Sequence, residues 1–259
     1  VAVSAMVTLQ GAPYLGLLAA FVCGMAAGAV TGLLQTKVGI HPILAGILTM
    51  SGLYTVNLAV MGASANVSLI GKDTLFQRLF SQLAPLGKED VKLVVGAALA
   101  LMVFSLLTWF FKTHLGLCVR ATGNNEAMVR SSSINASRMK IIGLAVSNGC
   151  IALSGAVVAQ YQGYADISSG IGILVVGLAS VIIGEAFFGR RSVTLGLLSA
   201  LVGSLLYRAL ISLALSTHLF PPYFLKLISA VIVGVALSLP TIKDSLQKQR
   251  LRREGKNDA

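Results

Sequence analysis

Apolar residues in this chain come in long unbroken blocks, with the polar residues gathered between them. Residues 1–36 and 38–71 carry no formal charge, and further neutral runs cover 93–111, 141–165, 167–184, 192–207, 209–225 and 227–242. A helix needs about 20 apolar residues to cross about 30 Å of hydrocarbon. With Gly and Pro as punctuation, the runs predict membrane spans near 13–35, 42–61, 93–111, 141–160, 171–188, 193–215 and 224–239. Residues 1–10, VAVSAMVTLQ, have no initiating Met and no basic stretch followed by a cleavage site. They do not resemble a signal peptide and read as the end of an eighth helix whose beginning is absent. The expected fold class is all-α, a polytopic membrane helix bundle with seven full spans plus the end of an eighth. Residues 1–239 are the expected membrane domain and 240–259 a basic tail.

Two connections are too long to be simple turns. In 62–92, Leu75, Phe76, Leu79, Phe80 and Leu83 recur at helical spacing, and Thr74 with Gln77 can form a capping box. A short amphipathic helix lying on the outer membrane interface is expected there. The second connection, 112–140, contains RATGNNEAMVRSSSINASRMK. Asn124 or Asn125 can cap a helix, Glu126 suits its positive N-terminal end, and Glu126 with Arg130 is an i,i+4 pair. The glycine- and serine-bearing stretch 161–173, YQGYADISSGIGI, has two readings. It is a plain outer loop, or a re-entrant broken helix shielded from lipid.

Small residues mark helix contacts. Gly16, Ala20, Gly24, Gly28 and Gly32 repeat every four residues, so one face of the first span allows close backbone approach. Gly196, Ala200 and Ser204 repeat the device, and the next step of four is Arg208. Arg208 either snorkels to the outer surface or meets Asp166 or an anionic group of a solute. Asn57, Asn148 and Gln160 sit in or near span ends. They serve as hydrogen bonds across helices or, with Asp166 and Arg208, as candidates for a translocation path or gate. Glu185 either pairs with Arg190 and Arg191 or carries protons, and the second choice belongs to an ion-coupled secondary transporter.

Composition agrees with the pattern. Of 259 residues, 56% are hydrophobic and 11% charged, where soluble domains carry about 25% charged residues. The net charge of +11 would suggest nucleic acid on a soluble chain; here it sorts by loop, and no nucleic-acid partner is expected. Lys37, Lys112, Arg120, Arg130, Arg138, Lys140, Arg190, Arg191 and the tail lie on one side, with Lys72, Arg78, Lys88, Lys92, Arg208 and Lys226 on the other. The richer side is expected to be cytoplasmic, with the C-terminus inside, and the tail attracts anionic membrane lipids. Cys23, Cys118 and Cys150 form no C-x-x-C pair and read as free thiols, not metal ligands. Gly71-Lys72, Gly87-Lys88 and Gly255-Lys256 are not followed by Ser or Thr, so no phosphate loop of that type is present. Neither an enzyme nor a cofactor held by this chain is expected.

The run GLCVRATGNNEAMVRSSSINASRMKIIGL at 116–144, followed by ALSGAVVAQ at 152–160 and GLASVIIGE at 177–185, resembles permease subunits of bacterial ATP-binding-cassette importers. The class is the one that serves branched-chain amino acids, ribose and related solutes. The segment 35–62 and the GYADI stretch look closest to a subgroup paired with aromatic amino-acid binding proteins. The resemblance implies an inner-membrane importer subunit, an amino acid or similar small polar solute, and ATP bound by a separate ATPase subunit. It also implies a second permease subunit, identical or closely related, and an extracytoplasmic solute-binding protein. By position, Asn124, Asn125, Glu126, Arg130, Ile134 and Asn135 would be the ATPase contacts.

Overall fold

The computed structural model describes residues 1–82, 87–170, 173–189, 192–216, 234 and 238. The chain divides into two compact units, Val1–Gly170 and Ile171–Ala259. In the first unit, α1 (Ala2–Leu9) turns into α2 (Pro13–Thr36), followed by α3 (Pro42–Val60). Both α2 and α3 open with Pro at the first helical position, where no amide hydrogen is needed. Strand β1 (Asn66–Ser68), α4 (Leu75–Gln82), α5 (Lys88–Lys112), α6 (His114–Asn124), α7 (Glu126–Ser131) and α8 (Ala136–Gln162) come next. Strand β2 (Tyr164–Asp166) and a 3-10 turn (Ile167–Gly170) end the unit. The second unit holds α9 (Ile173–Phe188) and α10 (Val193–Ser216).

Segments 13–36, 42–60, 89–112, 136–162 and 193–213 are long and apolar enough to cross a membrane, and α9 is apolar but shorter. The span expected at 224–239, apart from Gly234 and Ser238, lies outside the described residues, as do the tail, Leu83, Arg190 and Arg191.

The first unit is organised by α2 against α8, and the glycine stripe makes the contact. A Cβ on Gly24 would lie 2.4 Å from the Ala152 Cβ, and one on Gly28 would lie 2.3 Å from the Leu144 carbonyl oxygen. At Gly32 the neighbour is the Ile141 Cα at 2.9 Å, while Gly16 faces α1 through Ser4 and Thr8. Backbone therefore lies on backbone along three turns, as the four-residue repeat predicts.

Helix α4 forms where its pattern predicts, and the capping box closes in both directions. The Thr74 amide donates to Gln77 Oε1 at 3.2 Å, and the Gln77 amide donates to Thr74 Oγ1 at 3.3 Å. Its apolar face packs on protein. Leu75 and Phe76 are buried with Leu17, Ala20, Val91, Val95 and Ala156, and Leu79 and Phe80 pack on the same cluster. The apolar face is covered by residues of α2, α5 and α8.

Residues 161–170 are more ordered than a plain loop, with a short strand and a 3-10 turn. Gly163 ends α8 in the left-handed region at φ 77°, and β2 then pairs antiparallel with β1, matching Asn66 with Asp166 and Ser68 with Tyr164. The ribbon satisfies backbone groups that a loop would leave open. Apart from this three-residue pair, the secondary structure of the described residues is helical, in keeping with the expected all-α class.

In the second unit α9 and α10 meet through a different register of small residues. A Cβ on Gly184 would lie 1.8 Å from the Ser199 carbonyl oxygen, and one on Gly203 would lie 2.0 Å from the Ser180 carbonyl oxygen. The contact row of α10 is Ser199, Gly203 and Tyr207, one position before the expected row of Gly196, Ala200 and Ser204. Ser204 and Arg208 are exposed.

Candidate coupling site

The polar segment between α5 and α8 folds as two short helices, where one was expected. Thr113 stops α5 and starts α6, its Oγ1 accepting the Gly116 amide at 3.3 Å. Only glycine fits at 116, where a Cβ would lie 2.2 Å from the Phe110 carbonyl oxygen. Asn125 breaks the chain in extended geometry and caps α7, its Oδ1 accepting the Met128 amide at 3.1 Å. Asn135 repeats the device for α8, accepting the Arg138 amide at 3.0 Å. Between them Ser133 adopts φ 61°, a left-handed conformation that costs a non-glycine residue about 1–2 kcal/mol. Val129 is 1% exposed and anchors α7 beneath.

One carboxylate ties these pieces together. Glu126 Oε1 accepts from Arg130 Nη2 at 2.8 Å, and its Oε2 accepts from Lys140 Nζ at 2.5 Å. The Arg130 pair was predicted from i,i+4 spacing; Lys140, one turn into α8, was not, because nothing in the sequence shows that α7 folds back on α8. The hydrogen bond from Lys140, then that from Arg130, holds the Glu126 carboxyl below the ordinary carboxylate range. Arg130, Ser133, Ile134, Asn135, Ala136 and Ser137 line an open cavity of about 420 Å3 beside the hairpin. Of the six expected contact residues, Asn125, Glu126, Arg130 and Asn135 hold the hairpin's form, Ile134 lines the cavity, and Asn124 ends α6 exposed.

The path candidates of the first unit each make their own local contacts. Gln160 is 2% exposed and forms a polar junction. Its Oε1 accepts the Leu75 amide at 3.0 Å, and its Nε2 reaches Thr8 Oγ1 at 3.2 Å and the Pro13 carbonyl at 3.1 Å. One side chain thus joins α1, α2, α4 and α8. Asn148 donates to the Leu144 carbonyl at 2.9 Å in its own helix, and Asp166 Oδ1 accepts the Ser168 amide at 2.8 Å. Asn57 is half-buried near the end of α3, and Arg208 belongs to the second unit.

Long apolar helices joined by a braced polar hairpin define a multi-pass membrane subunit. Residues 1–237 match the family described as the permease component of branched-chain amino acid transport systems. The chain belongs to this family of inner-membrane transport permeases, which are not enzymes and form part of ATP-binding-cassette importers. It is similar to the tyrosine transport system permease protein of Clostridioides difficile, with 38% identity over 91% of this chain and 76% of that one. An uncharacterized protein of Rickettsia prowazekii is 32% identical over 86% of this chain and 77% of its own. The ribose import permease of Escherichia coli K12 is 28% identical over 85% and 66% respectively. No solved structure matches.

Proposed function

We propose that this chain is one of two permease subunits around the translocation path of an importer for an amino acid, driven by a separate ATPase. In this reading the α6–α7 hairpin, with Asn124, Asn125, Glu126, Arg130, Ile134 and Asn135, lies on the cytoplasmic side and seats in the ATPase. The C-terminus lies on the same side, as the Lys and Arg distribution indicates. An extracytoplasmic binding protein delivers the solute, and the amino-acid class follows from the tyrosine permease relative.

The observation that carries the coupling role is the Glu126 bridge. A carboxylate on α7 bonded to Lys140 on α8 makes the hairpin and the 27-residue α8 move as one lever. Closure of the ATPase pair then displaces α8, with the direction set by differences in binding free energy between states. The test is replacement of Glu126 and Arg130 together by Ala in the whole complex. Less ATPase is expected to co-purify, and solute-stimulated hydrolysis to fall. Unchanged docking and hydrolysis would refute the hairpin's role. Transport by the purified chain without an ATPase, abolished by Glu185→Gln, would support the ion-coupled alternative instead.

A further inference from the structure

Helix α3 has two unlike faces. At about 100° per residue, Ala45, Thr49, Leu53, Val56 and Val60 share one side, which packs in its first half, where Ala45 is fully buried and Thr49 Oγ1 accepts from Thr31 Oγ1 at 2.9 Å, while Val56 further along is exposed. On the opposite side Ser51, Tyr54 and Thr55 fall within about 100° of one another, with Asn57 at the edge. All three are exposed, Tyr54 by 53%, and their hydroxyls make no hydrogen bond among the described residues.

This is not how the chain treats lipid elsewhere. The exposed face of α5 is Leu93, Val94, Leu101, Met102, Leu106 and Trp109. Its exposed Ser105 turns back to the Leu101 carbonyl at 2.8 Å. On α3 the first half of the open face is equally apolar, with Ile43, Leu44, Ile47 and Met50 exposed, and the hydroxyls begin only beyond it. Tyr54 lies about 18 Å along a helix of about 28 Å, well inside the span and short of the interface where tyrosine normally anchors. A polar face within a span needs protein or water beside it. No charge occurs from 38 to 71, so the stripe offers hydrogen bonds but no ion pair. Its chemistry suits a solute without net charge.

We propose that Ser51, Tyr54 and Thr55 line the water-filled part of the translocation path and hydrogen-bond a zwitterionic, net-neutral amino acid during passage. This rests on the transport reading above. The test uses the complete complex with Cys23, Cys118 and Cys150 replaced by Ser, carrying Ser51→Cys, Thr55→Cys or, as lipid-facing control, Leu101→Cys. A membrane-impermeant methanethiosulfonate reagent, which reacts with the hydrated thiolate, is expected to label positions 51 and 55 about tenfold faster than 101. Tyr54→Phe, which removes a single oxygen, is expected to raise the KM for tyrosine uptake about tenfold. Labelling at 51 and 55 no faster than at 101, in a complex that still imports tyrosine, overturns the proposal and leaves the transport reading intact. An unchanged KM in Tyr54→Phe removes the solute contact. ATP-dependent uptake absent from the wild-type complex defeats the transport reading itself, while fast labelling still marks the stripe as water-lined.

Discussion

Along the α2–α8 seam, backbone touches backbone, and Gly24, Gly28 and Gly32 leave no room for a side chain between the helices. The α6–α7 hairpin is held by other means, the caps of Thr113, Asn125 and Asn135 and the two cations on Glu126. The seam consists of contacts that nothing else can replace. The hairpin consists of polar bonds that water or a protein surface can exchange. In the proposed reading, the permease keeps its fixed geometry where lipid would surround it and its exchangeable bonds where a soluble partner would dock.

Substitutions should separate the two regimes. Gly28→Leu should have the largest effect, because its Cβ meets the Leu144 backbone, which cannot retreat as a flexible side chain would. Thermal unfolding in detergent should show a loss of about 3 kcal/mol or more, while Gly46→Ala, in a helix with nothing within 4 Å, should be neutral to slightly stabilising. Gln160→Ala should cost about 1–3 kcal/mol by leaving the Leu75 amide unpaired in a buried site. Hydrogen exchange at Leu75 should rise at the same time. Asn125→Ala should cost about 1 kcal/mol as the loss of a helix cap. The change should appear as faster exchange within Glu126–Ser131, with the seam untouched. The smallest effect should come from acid. A carboxyl with a lowered pKa contributes stability that is complete above its unfolded-chain value and is lost as pH falls through the folded one. The protection factors of the α7 amides, with the intrinsic pH dependence of exchange divided out, should therefore stay constant from neutrality down to the ordinary glutamate range and fall only below it. A hairpin that loosens at higher pH would show that the Lys140 and Arg130 bonds are not what holds Glu126.

Much of this division is legible in the sequence, for identifiable reasons. Pro13 and Pro42 announce helix starts, the Thr74 and Gln77 pair announces α4, and the four-residue glycine repeat of α2 allows a single packing row. Helix α10 holds two interleaved rows of small residues. The choice between them rests on Ser180 and Gly184 of α9, which no reading of α10 alone can supply. The β1–β2 ribbon is not legible in the sequence because three residues on each strand are too few to show a period-two pattern. Gln160 stood out as a polar residue in a span, but its four-helix junction depends on Leu75, 85 positions away.

The ribbon has a further effect on how the first unit can deform. By clasping the stretch just past α3 to the stretch just past α8, with Leu69 and Ala165 sunk beside α1, it works as a tie bar between two poles. If the proposed coupling tilts α8, this clasp is the direct backbone link through which the tilt would reach the end of α3. The stripe of hydroxyls would then swing in step with a push delivered at the opposite foot of the molecule.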